Sequence, residues 1–214
     1  MRVLNSKTDI LFHAGRGIML TLLLAFSLFS AAQADTLPAA CLSECVTPYG
    51  KVLGSHGDVA AFSNCNAACV VYEPNRVDGT FTGIQWQCVE YARRWLLINH
   101  GVVFGDVDIA ADIWGHDQVT RVADGASLPL SSYVNGSKEL PQVGDLLIYA
   151  REFLGTGHVA VITEVDANTG RIAVAEQNYL NDAWSGEHAR HIEMLLRDGQ
   201  YWLLDPFLLG WKRL

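Results

Sequence analysis

The sequence predicts an α+β domain in which one amphipathic helix precedes an antiparallel β-meander. Three observations lead there. Residues 86–98 place Val89, Ala92, Leu96 and Leu97 at helical spacing and run into Asn99-His100-Gly101, a C-terminal stop. From residue 141 onward the pattern changes to short apolar runs separated by turn residues. The chain has 214 residues, half of them apolar, with no repeats, low-complexity runs or linkers beyond its first 34 residues, which suits one domain with its own core.

The strands follow in order. Residues 145–149 make one and residues 158–165 the next. Residues 171–178 come after the turn sequence Asp166-Ala167-Asn168-Thr169-Gly170. Residues 193–196 and 201–204 pair around Asp198-Gly199. Residues 35–80 read as one hairpin plus loop, and a second, weaker helix is expected over 109–119.

Residues 1–34 read as a cleaved secretory leader. Arg2, Lys7 and Arg16 form a basic start, residues 18–30 are apolar and uncharged, and Ala32-Gln33-Ala34 sets small residues for cleavage after Ala34. An uncleaved anchor is the alternative, but the apolar run is shorter than the roughly 20 residues a bilayer span needs. The expectation is therefore a periplasmic or secreted domain, residues 35–214, without stable membrane insertion once the leader is removed. The whole chain carries a net charge of −8, and removing a basic leader makes the rest more acidic. That balance argues against nucleic acid as a partner.

An exported protein folds where thiols oxidise. Cys41, Cys45, Cys65 and Cys69 form two C-x3-C pairs, for which three connectivities exist. Both Cys41 with Cys69 and Cys45 with Cys65 are centred on residue 55, inside the turn-like Gly54-Ser55-His56-Gly57 with strand-like 49–53 and 59–62 on either side. That symmetry favours nested bridges at the base of a hairpin. A zinc site is the other reading, but C-x2-C is the commoner zinc spacing and exported thiols oxidise first. No metal or other cofactor is expected. Cys88 is left over.

Cys88 opens the strongest helix, in Gln85-Trp86-Gln87-Cys88-Val89-Glu90-Tyr91-Ala92-Arg93-Arg94-Trp95. The unpaired N–H groups and positive dipole end of a helix favour an anion there, which raises the thiolate fraction. Thiolate is the attacking species in acyl transfer, and N–H groups at the same end can face a developing oxyanion. Gly155-Thr156-Gly157-His158 sets a histidine at the head of an apolar strand, and Ala175-Glu176-Gln177-Asn178 a carboxylate near the end of the next. A hairpin centred on residue 168 pairs 158 with 178 and 160 with 176, so that His158, Glu176 and Asn178 share a face. A one-residue slip would break this. The pattern is nucleophile, base and orienting carboxylate. His56, His100, His116, His188 and His191 read as surface or capping residues.

These segments resemble the CHAP family of cysteine, histidine-dependent amidohydrolases and peptidases, and within it the amidase domains of glutathionylspermidine and trypanothione synthetases. The likeness extends to Pro48-Tyr49-Gly50-Lys51-Val52-Leu53-Gly54, Val102-Val103-Phe104, Pro129-Leu130, Asn135-Gly136-Ser137 and Leu209-Gly210-Trp211, and covers residues 47–214. It implies a papain-like fold, a nucleophile-bearing helix on an antiparallel sheet, with Cys88 as nucleophile, His158 as base and then acid, and Glu176 as the orienting member. It also implies an oxyanion hole at Gln87 and the Cys88 N–H, and a substrate-binding role for Arg93. Asn178 joins these as a candidate substrate contact. The substrate the resemblance implies is a peptidyl-amine amide of the glutathionylspermidine type. Export points instead to peptidoglycan peptides. A non-catalytic binding protein on the same scaffold is a third reading, against which the intact Cys-His-Glu set speaks.

Overall fold

The computed structural model describes residues 37–214, and the expected leader with its cleavage site after Ala34 lies outside them. Two hairpins come first. β1 (Val52–His56) and β2 (Val59–Phe62) turn at Gly57-Asp58, so residues 54–56, read as turn from the sequence, belong to the strand. β3 (Pro74–Val77) and β4 (Thr80–Ile84) turn at Asp78-Gly79, both with positive φ, 48° and 80°. That is the geometry an Asp-Gly type I′ turn supplies. This second hairpin lies in the 35–80 stretch, expected to hold one hairpin plus loop, and Asp78-Gly79 is the signal for it.

Cys41 is bonded to Cys69 and Cys45 to Cys65, a nested arrangement. It does not simply extend the β1–β2 ladder, whose turn is displaced from residue 55. An irregularity between Val52 and Gly54 shifts the facing positions, and further out Gly50 N–H reaches Ser63 O and Val46 N–H reaches Cys65 O. Each irregular pair shifts the two chains relative to one another until the cysteines meet.

Helix α1 (Cys88–His100) ends as its sequence requires: Gly101 takes φ 66° and its N–H returns to Leu97 O. Tyr91, Ala92, Trp95 and Leu96 are buried, and so are the charged Glu90, Arg93 and Arg94. Glu90 is fully buried and accepts from Arg94 Nε at 2.7 Å, Asn75 Nδ2 at 2.8 Å, Thr82 Oγ1 at 3.0 Å and Gln177 Nε2 at 3.0 Å. One carboxylate thus ties the helix to the second hairpin and to the chain beyond the sheet. The approach is close: a Cβ on Gly83, whose φ is 141°, would lie 2.9 Å from Glu90 Cα.

After the helix, β5 (Val102–Val103), β6 (Gln118–Arg121) and β7 (Ser127–Pro129) form a small antiparallel sheet. The helix expected over 109–119 is not formed. A 3-10 turn at Ala110–Gly115 buries Ala110 and Ile113, and Gln118–Arg121 pairs on both sides with β5 and β7. Pairing of Gln118–Arg121 with both neighbouring strands, with Val119 buried, ends the helical pattern.

The remaining strands are β8 (Ser131–Val134), β9 (Leu146–Tyr149), β10 (Val159–Asp166), β11 (Arg171–Ala175), β12 (Arg190–Arg197), β13 (Gln200–Leu203) and β14 (Leu208–Arg213). They make one antiparallel sheet in the order β13-β12-β11-β10-β9-β14-β8. Both faces of its centre are covered. Leu146, Ile148, Val159, Val161 and Ala175 pack under α1, while Leu147, Tyr149, Ala160, Ile162, Ile172, Val174 and Trp211 form a second core. Burial on both sides explains the unbroken apolar runs in β9 and β10. This is the α+β architecture expected: a helix opened by Cys88 on an antiparallel sheet, with a disulfide-bonded hairpin region before it. Among the described residues no helix is long and apolar enough to cross a membrane.

Glu90→Ala leaves the Arg94 guanidinium, 5% exposed, without its carboxylate. Removing one partner of a buried pair costs about 3–5 kcal/mol. Urea unfolding of the variant should register a loss of that order, with a smaller loss for Glu90→Gln.

Candidate active site

Cys88 is the first residue of α1, with Gln87 as N-cap in extended conformation and no side chain capping the helix. The end of the helix is therefore free to act on the thiol. Cys88 is 9% exposed, and it is the one free cysteine among the described residues. Its thiol is in electrostatic reach of the His158 ring and of backbone groups at Val89 and Val159.

His158 immediately precedes β10, and the glycine before it is required. Gly157 has φ 71°, and a Cβ there would lie 2.5 Å from Tyr149 O. His158 Nε2 is 2.8 Å from Glu176 Oε2, which leaves Nδ1 for the thiol. Both residues are nearly inaccessible, at 2% and 3%. Their meeting depends on an irregular ladder. Near the turn Asp166 faces Arg171 and Glu164 faces Ala173; beyond a bulge at Thr163, Ile162 faces Val174 and Val161 faces Ala175. Only the second register carries His158 and Glu176 onto one face. The uniform hairpin expected from the sequence describes the inner half of the ladder, and the half next to the turn is displaced by one residue.

That face is not the one under α1. Val159, Val161 and Ala175 pack beneath the helix, so His158 and Glu176, by alternation, lie on the side of the second core. The rings of Tyr149, Phe153 and Tyr179 surround His158 at 5.5, 6.1 and 5.2 Å. The imidazole meets Cys88 past the end of β10, where the helix N-terminus arrives.

The three groups shift one another. Burial pushes the Cys88 thiol up, but the charge and hydrogen bond of His158 outweigh it and the thiol ends below its ordinary range. Burial pulls His158 down, but Cys88 and then Glu176 raise it to about 9. Burial also pushes Glu176 up, and His158 and Arg190 bring it below the usual carboxylate value. The mutual shifts favour the thiolate–imidazolium form of the pair beside an ionised Glu176.

Arg190, on β12, was not recognised from the sequence. Its Nε donates to Glu176 Oε1 at 2.6 Å, Nη1 to Asp205 Oδ2 at 2.7 Å and Nη2 to Tyr149 Oη at 3.0 Å. Tyr149 Oη donates to the same Asp205 oxygen at 2.7 Å. Arg190 faces Val174, two positions before Glu176 and on its side of the sheet. No local pattern announces that pairing, because a long loop separates β11 from β12.

Gln87, expected near an oxyanion hole, has its carboxamide held at both ends. Asn178 Nδ2 donates to its Oε1 at 2.7 Å, and its Nε2 donates to Asn64 Oδ1 at 3.2 Å. Asn178, expected beside His158 as a substrate contact, takes φ 54° and turns to Gln87. The chain leaves β11 after Ala175, so the sheet register no longer directs this side chain. Arg93 is 3% exposed. It donates to Gly105 O at 2.7 Å, lies 3.4 Å from Asp106 and packs over Phe104 at 4.7 Å.

A groove of about 470 Å³ opens at the thiol. Val70, Tyr72, Phe81, Ile84, Val107 and Ile109 give it apolar walls, Asp106 and Asp108 stand at its side, and Gln87, Cys88 and Arg93 also line it.

Fold and site together define an α+β protein with a helix-borne thiol set against a sheet-borne histidine and carboxylate. Residues 79–178 match the CHAP domain family, and the chain carries a CHAP domain. It is homologous to the amidase region of the bifunctional glutathionylspermidine synthetase/amidase of Escherichia coli strain K12, 38% identical over 180 residues, 77% of this chain and 29% of that protein. The trypanothione synthetase of Crithidia fasciculata is 32% identical over 176 residues, 81% of this chain and 27% of the relative. The chain therefore spans less than a third of the length of these curated relatives.

The ionisation pattern has a direct readout. The pH profile of Cys88 carboxamidomethylation by iodoacetamide should have its inflection below the ordinary thiol pKa of about 8.5. His158→Ala should return the inflection upward, since the imidazolium that lowers the thiol is gone. Glu176→Gln should lower the His158 transition from about 9, because an anion that favours the charged ring is lost.

Proposed function

We propose that this protein is an exported cysteine amidohydrolase that cleaves a peptidyl-amine amide through Cys88, His158 and Glu176. The observation that carries the reading is the His158–Glu176 hydrogen bond at 2.8 Å, coupled through the His158 ring to the Cys88 thiol, which lines an open groove. The Cys88 thiolate attacks the amide carbonyl carbon and forms the C–S bond. The oxyanion faces the Cys88 N–H and the Gln87 carboxamide at the helix end. His158 hands its proton to the leaving amine as the C–N bond breaks. Water then attacks the thioester, His158 takes its proton, and the acid departs with the thiol restored. Glu176 keeps the ring oriented and balances its charge throughout, held in turn by Arg190.

The likeness to glutathionylspermidine synthetase/amidase supports an amide whose leaving group is a polyamine. The groove is consistent with this: Asp106 and Asp108 stand at its side, with the Asp106 side chain 86% exposed. Arg93, by contrast, is spent on Gly105, Asp106 and the Phe104 ring, which suits a wall brace better than a ligand for substrate carboxylates.

Peptidoglycan peptides are the second substrate reading, favoured by the leader expected at residues 1–34 and by the two disulfides, which belong to an oxidising compartment. Incubation with glutathionylspermidine and, separately, with purified peptidoglycan, followed by mass spectrometry, separates the two. Release of spermidine with an inert cell wall is the expected result, and the reverse pattern assigns the second substrate. Cys88→Ala should abolish turnover, a loss of at least ~10⁴-fold for a missing nucleophile. Residual hydrolysis at the wild-type rate would overturn the mechanism.

A further inference from the structure

Asn64 is fully buried and belongs to the disulfide-bonded segment, outside the stretch that matches the CHAP family. It is nevertheless the residue that reaches the helix end. Its Oδ1 accepts from the Trp86 N–H at 3.2 Å and from Gln87 Nε2 at 3.2 Å. Its Nδ2 donates to Cys69 O at 2.6 Å and to Asn66 O at 3.3 Å. Its own N–H donates to Asn181 Oδ1 at 2.8 Å. A backbone N–H only donates and a carbonyl only accepts, so the Trp86 and Cys69 contacts settle which end of the carboxamide is oxygen. Both neighbouring cysteines, Cys65 and Cys69, are bridged, to Cys45 and Cys41. Asn64 is thus held by cross-linked backbone on one side and grips the approach to Cys88 on the other.

The same reasoning sets the Gln87 carboxamide. Asn178 donates to its oxygen, Asn64 accepts from its nitrogen, and a carboxamide nitrogen carries a second hydrogen. Gln87 lines the groove beside Cys88. We propose that Asn64 is a positioning residue for acyl transfer: it holds Gln87 so that the remaining Nε2–H serves the oxyanion, and the two disulfides hold Asn64. The disulfide-bonded segment is then part of the catalytic apparatus as well as a brace. This rests on the reading of Cys88 as an acyl-accepting thiolate.

Two small reagents separate positioning from nucleophilicity. p-Nitrophenyl acetate acylates the thiolate through a tetrahedral oxyanion: the C–S bond forms, the ester C–O bond breaks and p-nitrophenolate leaves with the electron pair. Iodoacetamide alkylates the same sulfur by displacing iodide, and no oxyanion develops. In the full-length oxidised protein, Asn64→Ala should slow acylation at Cys88 by about tenfold or more, below the ~10²–10³-fold cost of deleting an oxyanion donor itself. Alkylation should stay within about twofold. Asn64→Asp keeps an acceptor for Trp86 and Gln87 while repelling the Cys69 carbonyl. It should lower the melting temperature yet preserve the ratio of the two rates. The double variant with Gln87→Ala should be no slower in acylation than Gln87→Ala alone. An equal fall in both rates, no fall in acylation, or additive losses in the double variant would overturn the positioning role. Failure of iodoacetamide to label Cys88 in the unaltered protein would instead remove the thiolate reading beneath it.

Discussion

A buried carboxylate meets two cations, the buried His158 and the half-buried Arg190, at one end of the central sheet, and the site depends on their being brought together. Glu176 lies between the His158 ring and the Arg190 guanidinium, and Arg190 in turn holds Asp205 and Tyr149. A charge removed from water is tolerated only when paired and hydrogen-bonded. Each member here supplies that condition for the next. The outcome at the far end is a thiol brought below its ordinary range in a place where burial alone would push it up.

The fold delivers these groups by separate routes. Cys88 arrives on the end of a helix whose own position is set by Glu90, through Arg94, Asn75, Thr82 and Gln177. His158 arrives through a left-handed glycine pressed against Tyr149 O. Glu176 arrives because the β10–β11 ladder slips at Thr163. Gln177 contributes twice to this junction, donating to Glu90 Oε2 and to Gln87 O, so the chain leaving the sheet is bound directly to the helix start. The orientation of Cys88 relative to His158 is thereby fixed by buried polar contacts on both sides.

The disulfide-bonded region belongs to this arrangement. Its bridges enclose Asn64 and place Val70 and Tyr72 on a wall of the groove. The family match begins only at residue 79, so that wall and that asparagine lie outside it.

Much of this was legible in the sequence because it is local. The helix and its glycine stop, the turn at Asp198-Gly199, the strands around His158 and Glu176, and the odd cysteine all follow from spacing and residue type. Asp78-Gly79, at the β3–β4 turn, is an equally local signal. Residues 109–119 do not form the expected helix: its end, Gln118 and Val119, is drawn into β6, and Ala110–Gly115 is left as a 3-10 turn. Other features are invisible along the chain. Nothing near Arg190 says that it will meet Glu176, and nothing near Asn64 says that it will reach Gln87, because each is joined to its partner across loops whose paths are set by packing. What the sequence by itself determined is which residues meet at the candidate site: Cys88 opening a helix, His158 just before one strand and Glu176 just after its neighbour. Only the tertiary structure decided on which face of the sheet the pair lies and what holds it there. A bulge, a turn or a buried carboxylate changes alignment by one residue without leaving a periodic trace, and one residue is enough to send a side chain to the opposite face.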